Sequence, residues 1–327
     1  MPQERVQQRP PKLAPLLRRS AYSRLAVSAI FNLHTVRMAI HLGSGQSRRD
    51  EGRARTRTPD GRASSPQDVA AGVFRLSVYG SNVYFVQSGS SWVLIDAAWA
   101  WGNCGGRIRR TAEVLFGPNA TPAGILLTHI HPDHDGSALE LARTWDCPVY
   151  VHPLELPLTT ADLAGLERYA NPLDRRVILP LLRALPRRRV ESMLARASLK
   201  DVARSFDPDE AVPNLPDWKC IPTPGHSPGH IALFRERDRV LIAGDAVLTV
   251  DVSSLPALLR LGLGLSRPHV SGPPRYTNWD QRATDASVAI VAALQPRVLA
   301  TSHGTPMAGE ATAHELRALA ERVAGSG

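Results

Sequence analysis

The chain has 327 residues, 43% of them hydrophobic, which is enough for a large buried core, and its formal net charge is +9. Three widely spaced cysteines (Cys104, Cys147, Cys220) exclude a disulfide framework and a cysteine-based zinc finger, and they fit a reducing, cytoplasmic compartment. The surplus charge is local: residues 1–70 carry 13 Arg and Lys against 5 Asp and Glu, and the rest carries 26 against 25, so a nucleic-acid partner gains little support.

Residues 1–70 read as a disordered basic extension. "RRDEGRARTRTPDGRASSPQD" (Arg48 to Asp68) has almost nothing apolar to bury. "YSRLAVSAIFNLHTVRMAIHLG" before it is interrupted by Arg24, His34 and Arg37, so no integral membrane segment is expected. An Arg-rich, acid-poor start also resembles a transit peptide or a poor signal peptide. A single domain is expected over residues 71–327. "VFRLSVYG", "NVYFVQSG" and "SWVLIDAA" are β-rich runs broken by Gly and Ser. "RIRRTAEVLF" predicts a helix, "AGILLTH" a buried strand, "GSALELARTW" a helix and "CPVYVHP" a strand. After a long middle segment come "KCIPTPGH", a hairpin over "IALFRERDRVLIAGDAV", a helix near Asp280 to Leu294, a strand in "RVLATSHG", and an amphipathic helix in "TAHELRALAERVA". Strands first alone and then alternating with helices predict an α+β fold of sheets covered by helices.

The chemistry concentrates at predicted strand ends, where loops carry function on a rigid scaffold. "HIHPDH" packs His129, His131, Asp133 and His134 into one loop. Asp96 in "VLIDAAW", His226 in "TPGHSPGH", Asp245 in "LIAGDAV" and His303 in "LATSHGTP" follow the same rule. A lone strand-end His or Asp is usually structural; the set in this order is a strong signal.

These motifs resemble those of the metallo-β-lactamase superfamily, over about Val73 to Ala324, with "THIHPDHDG" as the H-x-H-x-D-H signature. The resemblance implies a four-layer αββα sandwich with one or two metals between the sheets. It further implies that His129, His131 and His226 hold one ion, that Asp133, His134 and His303 hold the other, and that Asp245 bridges both. Asp96 resembles an aspartate that supports the ligands without touching metal. The residues suit this chemistry: His129 and His131, two apart at a strand end, point the same way. Pro132 stops the strand, and Asp133 and His134 swing towards a second site before a helix begins near Gly136. Seven N and O ligands suit two divalent ions, expected to be zinc, about 3.5–4 Å apart, which make a bridging hydroxide available at neutral pH. Asp133 would orient that hydroxide and pass a proton to the leaving group. His230 is expected to support rather than ligate.

Two insertions, about residues 154–216 and 253–279, either form a lid above the metals or simply cover the core or a dimer contact. The first holds ten Arg and Lys against five Asp and Glu between Thr160 and Ser205; the second is strongly apolar. As a lid they would suit a small-molecule substrate, apolar with an anionic group. Tyr276, in "RYTNWD", is either an oxyanion donor or part of a packing turn. The function expected is a metal-dependent hydrolase of an ester, thioester, lactone or similar acyl bond. Its rivals are a mononuclear iron sulfur dioxygenase and a phosphodiesterase or nuclease of the same fold. A homodimer is compatible with the apolar insertion.

Overall fold

A computed structural model describes residues 65–262 and 266–325. The expected basic extension therefore lies outside the described residues except for its last six positions, and so do residues 263–265 of the second insertion. Those last positions are a correction to the sequence boundary. Gln67–Ala70 forms strand β1 and pairs antiparallel with β2 (Val73–Val78), so the folded part begins upstream of residue 71.

The first sheet continues in chain order through β3 (Ser81–Ser88), β4 (Ser91–Ile95), β5 (Gly124–Leu126), β6 (Val149–Val151) and β7 (Ala203–Ser205). Its pairs are antiparallel as far as β4 and parallel from β4 to β7. The second sheet contains β8 (Lys219–Pro222), β9 (Ile231–Arg235), β10 (Val240–Ile242), β11 (Val298–Ala300) and β12 (Met307–Ala308), with β11 between β10 and β12. Two-residue alternation sorts the side chains into layers. On β3, Tyr84 and Val86 face inward to meet Ile231, Leu233, Val240 and Ile242 of the other sheet, making the core between the sheets. Val83 and Phe85, one step out of phase, face outward against helices α1 (Cys104–Phe116) and α3 (Ala138–Trp145), which contribute Ile108, Ala112, Leu141 and Ala142. Between them stands the one-turn helix α2 (Pro132–Asp135). Phe234 and Leu241 face outward on the second sheet, against Val288 and Val291 of α8 (Gln281–Ala293) and Leu316 and Leu319 of α9 (Glu310–Ala324). Three cores between four layers make the αββα sandwich.

The first insertion carries α4 (Leu163–Arg168), α5 (Leu179–Arg183) and α6 (Arg187–Ala197). Its neck is narrow: the Thr159 carbonyl accepts the Leu199 N–H at 2.8 Å and the Ser198 hydroxyl at 3.1 Å. The second insertion carries α7 (Leu255–Gly262) and a short turn over Arg275–Thr277. Among the described residues no helix is long and apolar enough to cross a membrane.

The sheets are fastened to each other beside the chemistry-bearing loops. Asn82 donates through Nδ2 to the carbonyls of Thr301 (2.8 Å) and Gly304 (2.7 Å), and its backbone N–H reaches Ser302. The Tyr84 hydroxyl donates to the same Thr301 carbonyl at 2.6 Å, and Ile231 of β9 donates to the Thr128 carbonyl at 3.0 Å. Buried hydrogen bonds of this kind each contribute about 1 kcal/mol net. Tyr84→Phe should therefore destabilise by about that amount and lower Tm by roughly 2–4 °C for a domain of this size. Thermal unfolding measures it; an unchanged Tm would show that the hydroxyl does not join the sheets.

Candidate metal centre

Every chemistry-bearing residue lies just past the end of a strand on one edge of the sandwich. Asp96 follows β4, His129 to His134 follow β5, and His226 lies between β8 and β9. Asp245 follows β10 and His303 follows β11. Both sheets therefore supply side chains to one point. Among the described residues, three overlapping triplets have ligand-type atoms within 4.8 Å of one another: His129, His131 and His226; His129, His134 and Asp245; and Asp133, His134 and His303. His129 and His134 are buried, as are His226 and Asp245, while Asp133 and His303 keep some exposure (22% and 16% of the side chain). The sequence placed the helix start near Gly136; it comes earlier. Pro132 is the first residue of α2, where its missing N–H costs nothing, so Asp133 and His134 are held in a helical turn.

The rings are held from behind. His134 Nδ1 donates to Asp96 Oδ2 at 3.0 Å. The Thr128 hydroxyl lies 3.0–3.1 Å from both Asp96 oxygens and 3.0 Å from His129 Nδ1. With Thr128 donating to Asp96, His129 Nδ1–H donates to Thr128. His226 Nδ1 donates to Asn278 Oδ1 at 3.0 Å, and Asn278 Nδ2 donates to Gln281 at 2.9 Å. His303 Nδ1 donates to the Gly80 carbonyl at 2.8 Å. Asp96 has a left-handed backbone (φ 59°), uncommon for a residue with a side chain though least so for Asp and Asn. That conformation accompanies its three-way bonding to Thr128 and His134.

The opposite nitrogens turn inward. His134 Nε2, His226 Nε2 and Asp245 Oδ1 are buried with no hydrogen-bond partner. Asp245 Oδ2 lies 3.3 Å from His226 Nε2 and 3.6 Å from the Nε2 atoms of His134 and His303. Asp133 Oδ2 lies 3.2 Å from His303 Nε2 and 3.7 Å from His134 Nε2. Burial holds His129 well below its ordinary pKa, helped by neighbouring imidazoles, and takes His131 down to about 3. These rings are neutral, the form in which imidazole binds a cation. Burial would also lower His134 and His303, but Asp133 and Asp245 outweigh it and push His303 up to about 10. The carboxylates demand positive charge, which a divalent cation meets more fully than a proton. Orphaned inward atoms, neutral rings and paired carboxylates thus fit bound metal.

His230 does not belong to the inward set. Its Nε2 accepts the Asp245 backbone N–H at 2.8 Å and its Nδ1 bonds the Thr223 hydroxyl at 2.8 Å, so both nitrogens are taken up positioning Asp245. Gly244 (φ 54°) permits this approach, since a Cβ there would come within 2.6 Å of His230 Nε2. The Tyr276 hydroxyl reaches the Val252 carbonyl at 3.4 Å, within its own insertion. Three polar residues at the centre escaped the sequence reading: Asn278, Thr128 and Glu155. Asn278 was visible only as part of the turn "RYTNWD". Glu155 lies in the loop after β6 (Val149–Val151), and no local signal marked it.

A family model described as the metallo-beta-lactamase superfamily matches residues 76–303. The probable metallo-hydrolase YflN of Bacillus subtilis (strain 168) is 37% identical over 268 residues, 80% of this chain and 95% of that protein. A second protein of the same strain, the probable metallo-hydrolase YybB, is 28% identical over 56% of this chain and 64% of its own length. Among solved structures, the metallo-beta-lactamase family protein TTHA1429 from Thermus thermophilus superposes with a TM-score of 0.52 at 24% identity, covering 78% of this chain and 81% of that one. The subclass B3 metallo-beta-lactamase BJP-1 of Bradyrhizobium japonicum gives 0.53 at 20% identity, over 80% and 93%. At these identities the two structures speak for the fold alone.

Asp96 orients one imidazole of each half of the cluster, His134 directly and His129 through Thr128. Asp96→Asn offers an amide donor where an acceptor is needed. Losing such a support typically costs about 10–100-fold in metal affinity, and chelator competition on the folded variant should show a loss of that size. Wild-type affinity would mean that the rings are oriented without Asp96.

Proposed function

The chain belongs to the metallo-β-lactamase superfamily and is a metal-dependent hydrolase; from that premise we propose that it works with two divalent ions, zinc by preference, on an ester, thioester, lactone or related acyl bond. One ion takes His129, His131 and His226, and the other Asp133, His134 and His303. Asp245 serves both. The observation that carries this reading is the position of Asp245 Oδ2, at 3.3 Å from a nitrogen of the first set and 3.6 Å from two nitrogens of the second. A complete second set argues against the single-iron sulfur dioxygenase, which typically leaves that site unfilled.

When bound, two such ions supply a hydroxide nucleophile at neutral pH and polarise the oxygen of the bond under attack. The protein's share is orientation and proton transfer. Asp133 is the more open of the two inward carboxylates (22% exposed against 8%), so it is the one able to meet both nucleophile and substrate. It orients the nucleophile, takes its proton and returns it to the leaving group. Tyr276 serves as an oxyanion donor only if its hydroxyl leaves Val252.

The two insertions meet beside this centre, which supports the lid reading. Trp279 donates its N–H to the His226 carbonyl at 3.2 Å, and its ring stands 6.2 Å from that of Tyr169 in the first insertion. Trp279 keeps 36% exposure, and Leu154, Leu181 and Leu259 on the same insertions are more exposed still. An apolar acyl or aromatic substrate with an anionic group fits such walls and the arginine-rich α6; a second copy of the chain is the other occupant they suit. Reduced Cys104, Cys147 and Cys220 fit a cytoplasmic location.

Metal analysis with a screen of ester, thioester, lactone and phosphodiester substrates tests the proposal. Two zinc ions per chain and acyl-bond hydrolysis are expected; one iron per chain would favour the dioxygenase, and phosphodiester cleavage the nuclease. Asp245→Ala should empty both sites and His303→Ala chiefly one, so equal metal loss per site would break the ligand assignment. Asp133→Asn, once shown to keep both ions, should lower kcat by at least about 100-fold, the lower range for general acid–base catalysis. A fully loaded variant with near-normal kcat would remove Asp133 from the mechanism.

A further inference from the structure

Glu155 has no part in the chemistry above, yet it is a wholly enclosed carboxylate (0% exposed) in the loop after β6. Burying such a group is costly unless its oxygens are hydrogen-bonded, and here both are. Oε2 accepts the Ile130 N–H at 2.8 Å. Oε1 accepts the Gly229 N–H and the Ser227 hydroxyl, each at 2.7 Å. Ile130 lies between His129 and His131; Ser227 follows His226, and Gly229 precedes His230. One side chain therefore grips two loops that spring from different sheets and together carry all three histidines of the first set. The fit is close: a Cβ on Gly229 would stand 3.0 Å from Glu155 Cγ and 2.7 Å from His152 Nδ1.

We propose that Glu155 is a positioning residue that fixes the spacing of the loops bearing His129, His131 and His226, and so sets the affinity of that half of the centre for its ion. The proposal rests on the metal-centre reading above. Only a carboxylate can serve both loops at once, because each oxygen accepts. In Glu155→Gln one end becomes an NH2 donor, and whichever way the amide turns, it opposes a backbone N–H of one loop. The Asp133, His134 and His303 set takes part in none of these three bonds and should not respond.

The test uses cobalt(II) as probe and the full chain, with affinity read from the visible d–d absorption under chelator competition. In the His303→Ala background, where the first set remains, adding Glu155→Gln should weaken cobalt binding by about 10–100-fold and alter the d–d bands. In the His226→Ala background, where the second set remains, the same change should leave affinity as it was. Equal weakening in both backgrounds would reduce Glu155 to general structural support, and no weakening in either would overturn the proposal outright. If Glu155→Gln does not fold, Ser227→Ala, which removes one of the three donors, must show the same selectivity at smaller size; equal affinities would again overturn it. A wild-type chain that binds no cobalt would sink the metal-centre reading itself and this inference with it.

Discussion

One buried carboxylate decides which nitrogen of two key rings faces the centre. Asp96 accepts a hydrogen bond from His134 Nδ1–H directly, and His129 Nδ1–H donates to the Thr128 hydroxyl that in turn donates to Asp96. An imidazole without such a partner can flip or change tautomer, and its inward nitrogen then carries a proton where a lone pair is needed. Asn278 does for His226, and the Gly80 carbonyl for His303, what Asp96 does for the other two. The geometry of the centre is therefore set from its outer shell inward. The left-handed backbone at Asp96 belongs to that arrangement.

The same logic explains why the site stands where two sheets meet. Asp96 and the His129–His134 loop belong to the first sheet, and His226, Asp245 and His303 to the second. Distances from the candidate ligands of the first sheet to those of the second are thus inter-sheet distances, and any sliding of one sheet on the other would change them directly. Asn82 and Tyr84 oppose that sliding by bonding β3 to the loop after β11. His230 plays a matching part within the second sheet, holding Asp245 by its own backbone N–H.

Much of this was legible in the sequence, and the boundary of what was legible has a physical form. Short apolar runs broken by Gly and Ser and the 3.6-residue helix period gave sheets covered by helices, and the family resemblance gave their four layers: β3 and β4 are buried on both faces, whereas α1, α8 and α9 each bury one. The inward residues were legible because they sit at strand ends in tight local patterns. What could not be read was anything defined by a partner distant in the chain. Glu155 meets Ser227 across 72 positions and Asn278 meets His226 across 52, and nothing local marks either as special. β1, β7 and β12, at two to four residues and partly exposed, have too little apolar content to announce themselves; they exist because a neighbour offers a ladder.

The narrow neck of the first insertion has a consequence for how such a protein diverges. Thr159 and Leu199 close the excursion at its base, while Glu155, just before the neck, is fastened to the histidine loops. What lies between the two halves of the neck is thus anchored at its own base rather than through Glu155, and it approaches the histidine loops where the Tyr169 ring stands 6.2 Å from that of Trp279. Loop-closure entropy rises only by about 0.6 kcal/mol for each doubling of length, so this segment can be lengthened, shortened or exchanged at little thermodynamic cost. Selection can reshape what is admitted to the centre, generation after generation, without reopening the question of how the centre itself is built.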